Sequence, residues 1–243
     1  MKNIAIILAA GSGSRFGDKI PKQFYSFAGK TVLEHSVDAY EKNENIDEIV
    51  IVVNCLYITK VKEFVKNNNW TKIKHILIGG NERYESSFVA IRTYSTENEC
   101  NMIFHDAVRP LVSQEIINNT IKALNVFNAV DTAIQITDTI VKANNNIIEE
   151  IPERKYFYKS QTPQAFKLST IKKAYKIFLD DNNFQATDDC GIIKKYLPKE
   201  NIFIVEGQES NIKLTFKEDI FLMELLFEKM QKIKTNLKTI NNQ

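Results

Sequence analysis

The chain has 243 residues, 44% hydrophobic and 26% charged, a composition ordinary for a soluble globular protein and suited to one domain spanning 1–243. Its net charge of +2 excludes the strongly basic surface that nucleic acid or an anionic membrane requires, and no apolar run is long enough to span a bilayer. Cys55, Cys100 and Cys190 are odd in number and far apart, as are His35, His75 and His105; this excludes a structural zinc site and, with no export feature, points to the cytoplasm.

The first element is an apolar run, Ile4 to Leu8, read as a buried strand. With Lys2 before it the run faintly resembles a signal peptide, but it is short and Arg15, Lys19 and Lys22 follow at once. The strand opens into Gly11-Ser12-Gly13-Ser14-Arg15, and the pair Pro21-Lys22 follows, its lysine seven residues after Arg15. A Gly/Ser loop after a strand exposes backbone N–H groups that can cradle phosphate, and two cations along it can neutralise a polyphosphate. The plain alternative is a tight turn. The loop is not a Walker loop, since Ser14-Arg15 stands where Lys-Ser or Lys-Thr is required. Nor is it a dinucleotide fingerprint: the glycines miss the spacing by one residue, and Asp38, the available ribose acid, lies in a helical pattern.

Val32 to Tyr40, Ile58 to Val65 and Phe88 to Tyr94 have helical spacing; between and after them Ile49 to Val53, Lys74 to Ile78 and Met102 to His105 read as strands. The rhythm predicts βαβ units, an α/β Rossmann-like fold and a mostly parallel sheet, with ligands at the carboxyl ends of its strands. Three motifs fall there: Ala9 to Arg15, Gly79 to Arg83, and His105 to Pro110. Asp106 at a strand end is placed to hold Mg²⁺ on a triphosphate, or else caps a turn. His105 reads as an orienting or packing residue, and Arg109 as a tie for its loop. Gly79-Gly80-Asn81-Glu82-Arg83-Tyr84-Glu85-Ser86 allows close backbone approach to a ligand and offers amide and hydroxyl groups to a base edge, or is a capped helix start.

Ala129 to Val141 alternates like antiparallel strands, Asn144 to Asn146 is a turn and Ile147 to Ile151 returns, so a β-hairpin arm is expected from about 138 to 158. A lone hairpin is marginally stable, which predicts that it packs on a second copy of the chain or on its own domain. Arg154 then precedes the polar loop Ser160 to Phe166. A helix is expected from Ser169 to Leu179, a short one capped near Asp188, a strand from Ile202 to Val205, and Lys213 in a strand-like run, Asn211 to Thr215. The last helix is expected from Lys217 to Lys232 with Phe221, Leu222, Leu225 and Met230 inward, followed by a frayed tail, 236–243. Four of the five arginines (Arg15, Arg83, Arg109, Arg154) sit in Gly- or Pro-bearing motifs of a chain that otherwise uses lysine, where a forked donor suits phosphate.

LAAGSGSRFG with PKQF, then GGNERYES, HDAVRP, QTPQAF, ATDD and NIKLT, in that order, resemble the cytidylyltransferases that activate sugar-alcohol phosphates. The resemblance implies a homodimeric enzyme that uses CTP, a polyol phosphate and Mg²⁺. It implies that Ala9, Ala10, Gly11 and Ser12 carry the triphosphate on their backbone, that Arg15, Lys22 and Lys213 are the catalytic cations, that Gly80, Asn81 and Ser86 hold cytosine and ribose, and that Arg83 belongs to the nucleotide-binding set. Asp106 would bind Mg²⁺ with Ala107 beside the nucleotide. Arg154 and Thr139 of the arm would reach the acceptor phosphate across a dimer interface, and Thr162 and Thr187 would complete that pocket. Of two branches, Val108 in HDAVRP, the approach Ile151-Pro152-Glu153-Arg154 and the Ala129 to Val141 stretch resemble the ribitol-5-phosphate enzyme rather than the methylerythritol-phosphate enzyme of isoprenoid synthesis. Rival classes are a nicotinamide-dependent reductase and a non-catalytic nucleotide-binding module.

Overall fold

A computed structural model describes residues 1–11, 20–181 and 186–240, with side chains to 233. In chain order its elements are β1 (Asn3–Ala9), β2 (Ser26–Phe27), β3 (Lys30–Thr31), α1 (Val32–Glu41), β4 (Glu48–Val53), α2 (Ile58–Asn67), β5 (Ile73–Ile78), α3 (Arg83–Thr93), β6 (Asn101–Asp106), α4 (Gln114–Ala123), β7 (Ala129–Gln135), β8 (Lys142–Asn144), β9 (Ile147–Glu150), β10 (Tyr158–Lys167), α5 (Leu168–Phe178), α6 (Asp189–Tyr196), β11 (Ile202–Glu206) and α7 (Asp219–Ile240).

Among the described residues the main sheet has seven strands in the order β11-β7-β10-β6-β1-β4-β5. β1 lies parallel between β4 and β6, and β10 runs antiparallel to both β6 and β7, so the sheet is mostly parallel as expected. Alternation along β1 fills both faces: Ala5, Ile7 and Ala9 join one buried cluster with residues of α1, α2 and α4, while Ile4 and Ile6 join another with α3, α5 and α6. Burial on both faces is why these strands read as continuous apolar runs.

Local signals set the helix starts. Thr31 and Glu34 form a reciprocal capping box at α1. Asp188 Oδ1 accepts from Gly191 N at 2.7 Å and caps α6. A Glu82–Glu85 capping box starts α3 at Arg83, five residues before the apolar pattern suggests. The Ser113 hydroxyl accepts from Ile116 N at 3.2 Å and begins α4, which periodicity alone does not mark.

Three expectations are corrected. α7 begins at Asp219, whose carboxylate accepts from Thr215 N at 2.7 Å and Phe216 N at 2.8 Å, and it continues to Ile240 through the segment expected to fray; residues 241–243 lie outside the described residues. Its inward face is Met223, Leu226, Phe227 and Met230, whereas Phe221, Leu222 and Leu225 are exposed. Both sets recur at helical spacing, so phase could not be read from periodicity. Asn211 to Thr215 is no strand; Leu214 N donates to Val108 O at 2.8 Å, one tie rather than a ladder.

The arm is present. β8 and β9 pair antiparallel through Asn145 and Asn146, both in the left-handed region, and residues 137–160 are exposed apart from half-buried Ile140 and Pro152.

Candidate active site

A cavity of about 280 Å³ opens at the carboxyl ends of β1 and β6. Its floor is the end of β1 and the two residues after it, from Leu8 to Gly11. Gln23 Nε2 donates to Ala9 O at 2.7 Å and Gly11 O at 3.0 Å, which fixes the backbone of the loop. One wall is Gly80, Asn81, Arg83 and Ser86, from the turn after β5 and the start of α3. Gly79 brings floor and wall together: a methyl group there would meet the Ala10 Cβ and lie 2.6 Å from Ser86 Oγ. Lys22, Asp106, Val108 and Lys213 close the other side.

Asp106 is the electrostatic centre. Its backbone N–H donates to Thr162 Oγ1 at 3.1 Å, Lys213 Nζ reaches Oδ2 at 2.7 Å, and Arg83 Nε reaches Oδ1 at 3.3 Å. Burial alone would raise this carboxyl, but Arg83 and Lys213 overcome it and hold Asp106 well below the usual carboxylate range. Lys22 Nζ donates to Leu214 O at 2.8 Å, so the cations before and after the core meet beside one another.

A polar frame behind the cavity sets these positions. Arg109 Nη1 donates to Asn211 O at 2.7 Å, and Asn211 Nδ2 donates to Thr162 O at 2.9 Å and Gln161 Oε1 at 3.0 Å. His105 lies between Thr162 Oγ1, 3.1 Å from Nδ1, and Arg109 O, 3.0 Å from Nε2. Complete burial lowers its pKa to about 4, so it stays neutral near pH 7. His105 thus orients and Arg109 ties the loop.

Of the residues singled out by sequence, Ala9, Ala10, Gly11, Lys22, Gly80, Asn81, Arg83, Ser86, Asp106 and Lys213 line this one cavity. Ser12 and Arg15 lie outside the described residues. Ala107 is fully buried behind Asp106, its N–H on Leu8 O at 3.0 Å. Thr162 is likewise buried behind Asp106 and supports it rather than lining the opening. Thr187 is exposed just before α6, while Thr139 and Arg154 are exposed on the arm, with Arg154 Nη1 on Thr137 O at 2.6 Å. Within the one protomer these three do not line the cavity. Sequence reading gave no role to Gln23, although it stands in the PKQF motif, or to Asp189 of ATDD, which binds Arg83.

The family profile described as "IspD: 2-C-methyl-D-erythritol 4-phosphate cytidylyltransferase" matches residues 3–229. The chain belongs to the IspD family. It is therefore a nucleotidyltransferase of the CTP-dependent cytidylyltransferases, as the motif order implied.

A Haemophilus influenzae relative, "Bifunctional ribulose 5-phosphate reductase/CDP-ribitol pyrophosphorylase Bcs1", is 46% identical over 230 residues, 93% of this chain. The chain spans 48% of that relative's length. The 2-C-methyl-D-erythritol 4-phosphate cytidylyltransferase of Thermosipho melanesiensis is 38% identical, covering 91% of this chain and 96% of its own. The crystal structure of 4-diphosphocytidyl-2C-methyl-D-erythritol synthase from Anaerococcus prevotii superposes with a TM-score of 0.82 at 32% identity, over 93% of this chain and 96% of that one. The IspD fold thus accounts for the seven-stranded sheet, and no helix among the described residues is long and apolar enough to cross a membrane.

Proposed function

We propose that this IspD-family enzyme transfers CMP from CTP to D-ribitol 5-phosphate, giving CDP-ribitol and pyrophosphate. The observation that carries the transfer is the convergence of Lys22, Lys213 and the Arg83–Asp106 pair on the cavity floored by the Ala9–Gly11 backbone. Support for ribitol is the 46% identity to a CDP-ribitol pyrophosphorylase, together with Val108 and the approach to Arg154.

In this mechanism an oxygen of the acceptor phosphate attacks the α-phosphorus of CTP in line and pyrophosphate leaves. A phosphate dianion is already a nucleophile near neutral pH, so no general base or covalent intermediate is required. Catalysis is positioning and charge neutralisation. The backbone from Ala9 to Ser12 holds the triphosphate, and Arg15, Lys22 and Lys213 bear the charge that develops on phosphorus. Gly80, Asn81 and Ser86 hold cytosine and ribose, and Arg83 belongs to the same nucleotide-binding wall. Thr187 completes the acceptor pocket, with Thr162 behind it.

Asp106 fits a divalent cation such as Mg²⁺ held mainly by substrate phosphates and water, the mode in which one hard carboxylate suffices. No group of three or more His, Cys, Asp and Glu among the described residues forms an all-protein cage. Lys213 shares Oδ2 and would yield it or remain beside the ion. When bound, the ion would add charge neutralisation to the triphosphate.

Arg154 and Thr139 lie on an exposed arm whose Ile147, Ile148 and Ile151 are 70%, 55% and 63% exposed. A homodimer in which the arm delivers Arg154 to the partner's acceptor phosphate covers these side chains and completes the site. The second reading is 2-C-methyl-D-erythritol 4-phosphate as acceptor, supported by the family description and the identity to Thermosipho melanesiensis. Pyrophosphate release from CTP, tested separately with ribitol 5-phosphate, 2-C-methyl-D-erythritol 4-phosphate and glycerol 3-phosphate, decides the reaction and ranks the acceptors. No release with any of them would remove this proposal.

A further inference from the structure

Asp189, the first residue of α6, has no exposed surface, yet it collects three donors: Arg83 Nη1 at 2.6 Å, Tyr175 OH at 2.5 Å and Ser87 Oγ at 3.3 Å. Its own N–H donates to Gln164 Oε1 at 3.2 Å, which fixes its backbone against β10. The first turn of a helix also favours a negative charge. The Arg83 guanidinium that binds Asp189 through Nη1 reaches Asp106 through Nε, and its Nη2 is buried with no hydrogen-bond partner among the described residues. The contact to Asp189 is the shorter and the more deeply enclosed. Arg83 is therefore anchored from behind, and its face toward the cavity is set by that anchor.

We propose that Asp189 is a positioning residue for nucleotide binding. It fixes the Arg83 fork, and through Arg83 the carboxylate of Asp106, without touching the nucleotide. A planar fork holding two carboxylates is a geometry that lysine cannot reproduce, which accounts for arginine here in a lysine-rich chain. The inference rests on the reading of the cavity as the CTP site.

The test is Asp189→Asn, which keeps the volume and an acceptor for Tyr175 but removes the charge facing Arg83. CTP affinity, measured by calorimetry without acceptor, should fall roughly 10- to 100-fold. The kcat/KM for CTP should fall by a similar factor, while the acceptor KM at saturating CTP stays within about twofold. Ser87→Ala removes a different donor to Asp189 and should leave CTP affinity within about threefold of wild type. In a double-mutant cycle, Asp189→Asn on an Arg83→Lys background should add little, because its effect passes through Arg83. A folded Asp189→Asn protein with wild-type CTP affinity, or additive effects in the cycle, overturns the proposal. If that variant does not fold, nitrogen-15 NMR of the wild-type Arg83 side chain decides. Separate, slowly exchanging Nη signals before and after CTP are expected, and averaged signals overturn the anchor. Inactivity of the wild-type chain with every polyol phosphate would instead overturn the functional reading, since binding and NMR are read without acceptor.

Discussion

Gly79→Ala tests the geometry of the cavity where floor and wall touch. The backbone at Gly79 suits alanine, so the effect is one of packing alone. The added Cβ would lie 2.6 Å from Ser86 Oγ and 3.0 Å from Val52 Cγ1, and closest to the Ala10 Cβ. Apolar contacts settle near 3.5 Å, so the turn after β5 and the segment after β1 must part by about 1 Å. Ser86 can rotate its hydroxyl, but Ala10 has nothing to rotate. Overpacking of this kind costs about 1–3 kcal/mol, and each kcal/mol lowers Tm by about 2–4 °C in a chain of this size. A displacement of about 1 Å at the nucleotide should lower kcat/KM for CTP by roughly 10²-fold. Thermal melts and steady-state pyrophosphate release measure both. Gly11→Ala is the internal control, since no atom of the described residues lies within 4 Å of a Cβ there, and it should melt like wild type. Unchanged Tm and kcat/KM in Gly79→Ala would refute the claim that this contact shapes the site.

Lys22→Ala should reduce turnover by ~10²–10³-fold with a much smaller change in CTP affinity, because its charge is needed mainly as negative charge builds on phosphorus; near-wild-type turnover in steady-state assays would take Lys22 out of the catalytic role. Arg154→Lys should raise acceptor KM and leave acceptor-free CTP binding unchanged, and mixing it with Lys22→Ala should recover activity if sites are shared across a dimer; no recovery from demonstrably mixed dimers would place Arg154 in its own protomer's site. His105 has a folded pKa near 4 against 6.5 outside the fold, because burial disfavours its charge. The unfolded chain therefore binds the extra proton between those values, and the stability His105 contributes near neutral pH is lost as pH falls from 6.5 to 4. Relative to His105→Gln, wild type should lose up to about 3 kcal/mol over that window, read from paired melts; parallel pH profiles would contradict a buried neutral histidine.

What sequence made legible follows from how strongly each residue is constrained locally. Ile4 to Leu8 and Ile49 to Val53 could be placed because strands buried on both faces must be apolar throughout. Asp106 and Gly80 were legible because each sits in a short motif beside a strand end, and Lys213 because NIKLT falls in its place in the motif order although it forms no strand. Gln23 and Asp189 were not assigned roles because theirs exist only across the chain: Gln23 finds carbonyls 12 and 14 residues away, and Asp189 meets Arg83 at a separation of 106 residues. Thr162 stands in the QTPQAF motif, but its tie to the Asp106 N–H spans 56 residues and falls where the register of β10 shifts between Ser160 and Gln164. No local pattern encodes that contact. The face of α7 failed for a different reason: two apolar stripes share the helical period, and only packing against Phe27 and Leu214 selects Met223 and Phe227.

The most direct test is a competition in one tube. Equal concentrations of ribitol 5-phosphate and 2-C-methyl-D-erythritol 4-phosphate, both below their KM values, are incubated with CTP, and the cytidine diphosphate products are separated and quantified by mass spectrometry. The ratio of initial rates is then the ratio of kcat/KM for the two acceptors. The account predicts that CDP-ribitol dominates and that pyrophosphate forms in equal amount to total product. Predominance of the methylerythritol product would contradict the assigned acceptor, and the absence of both would contradict cytidylyl transfer to either polyol phosphate.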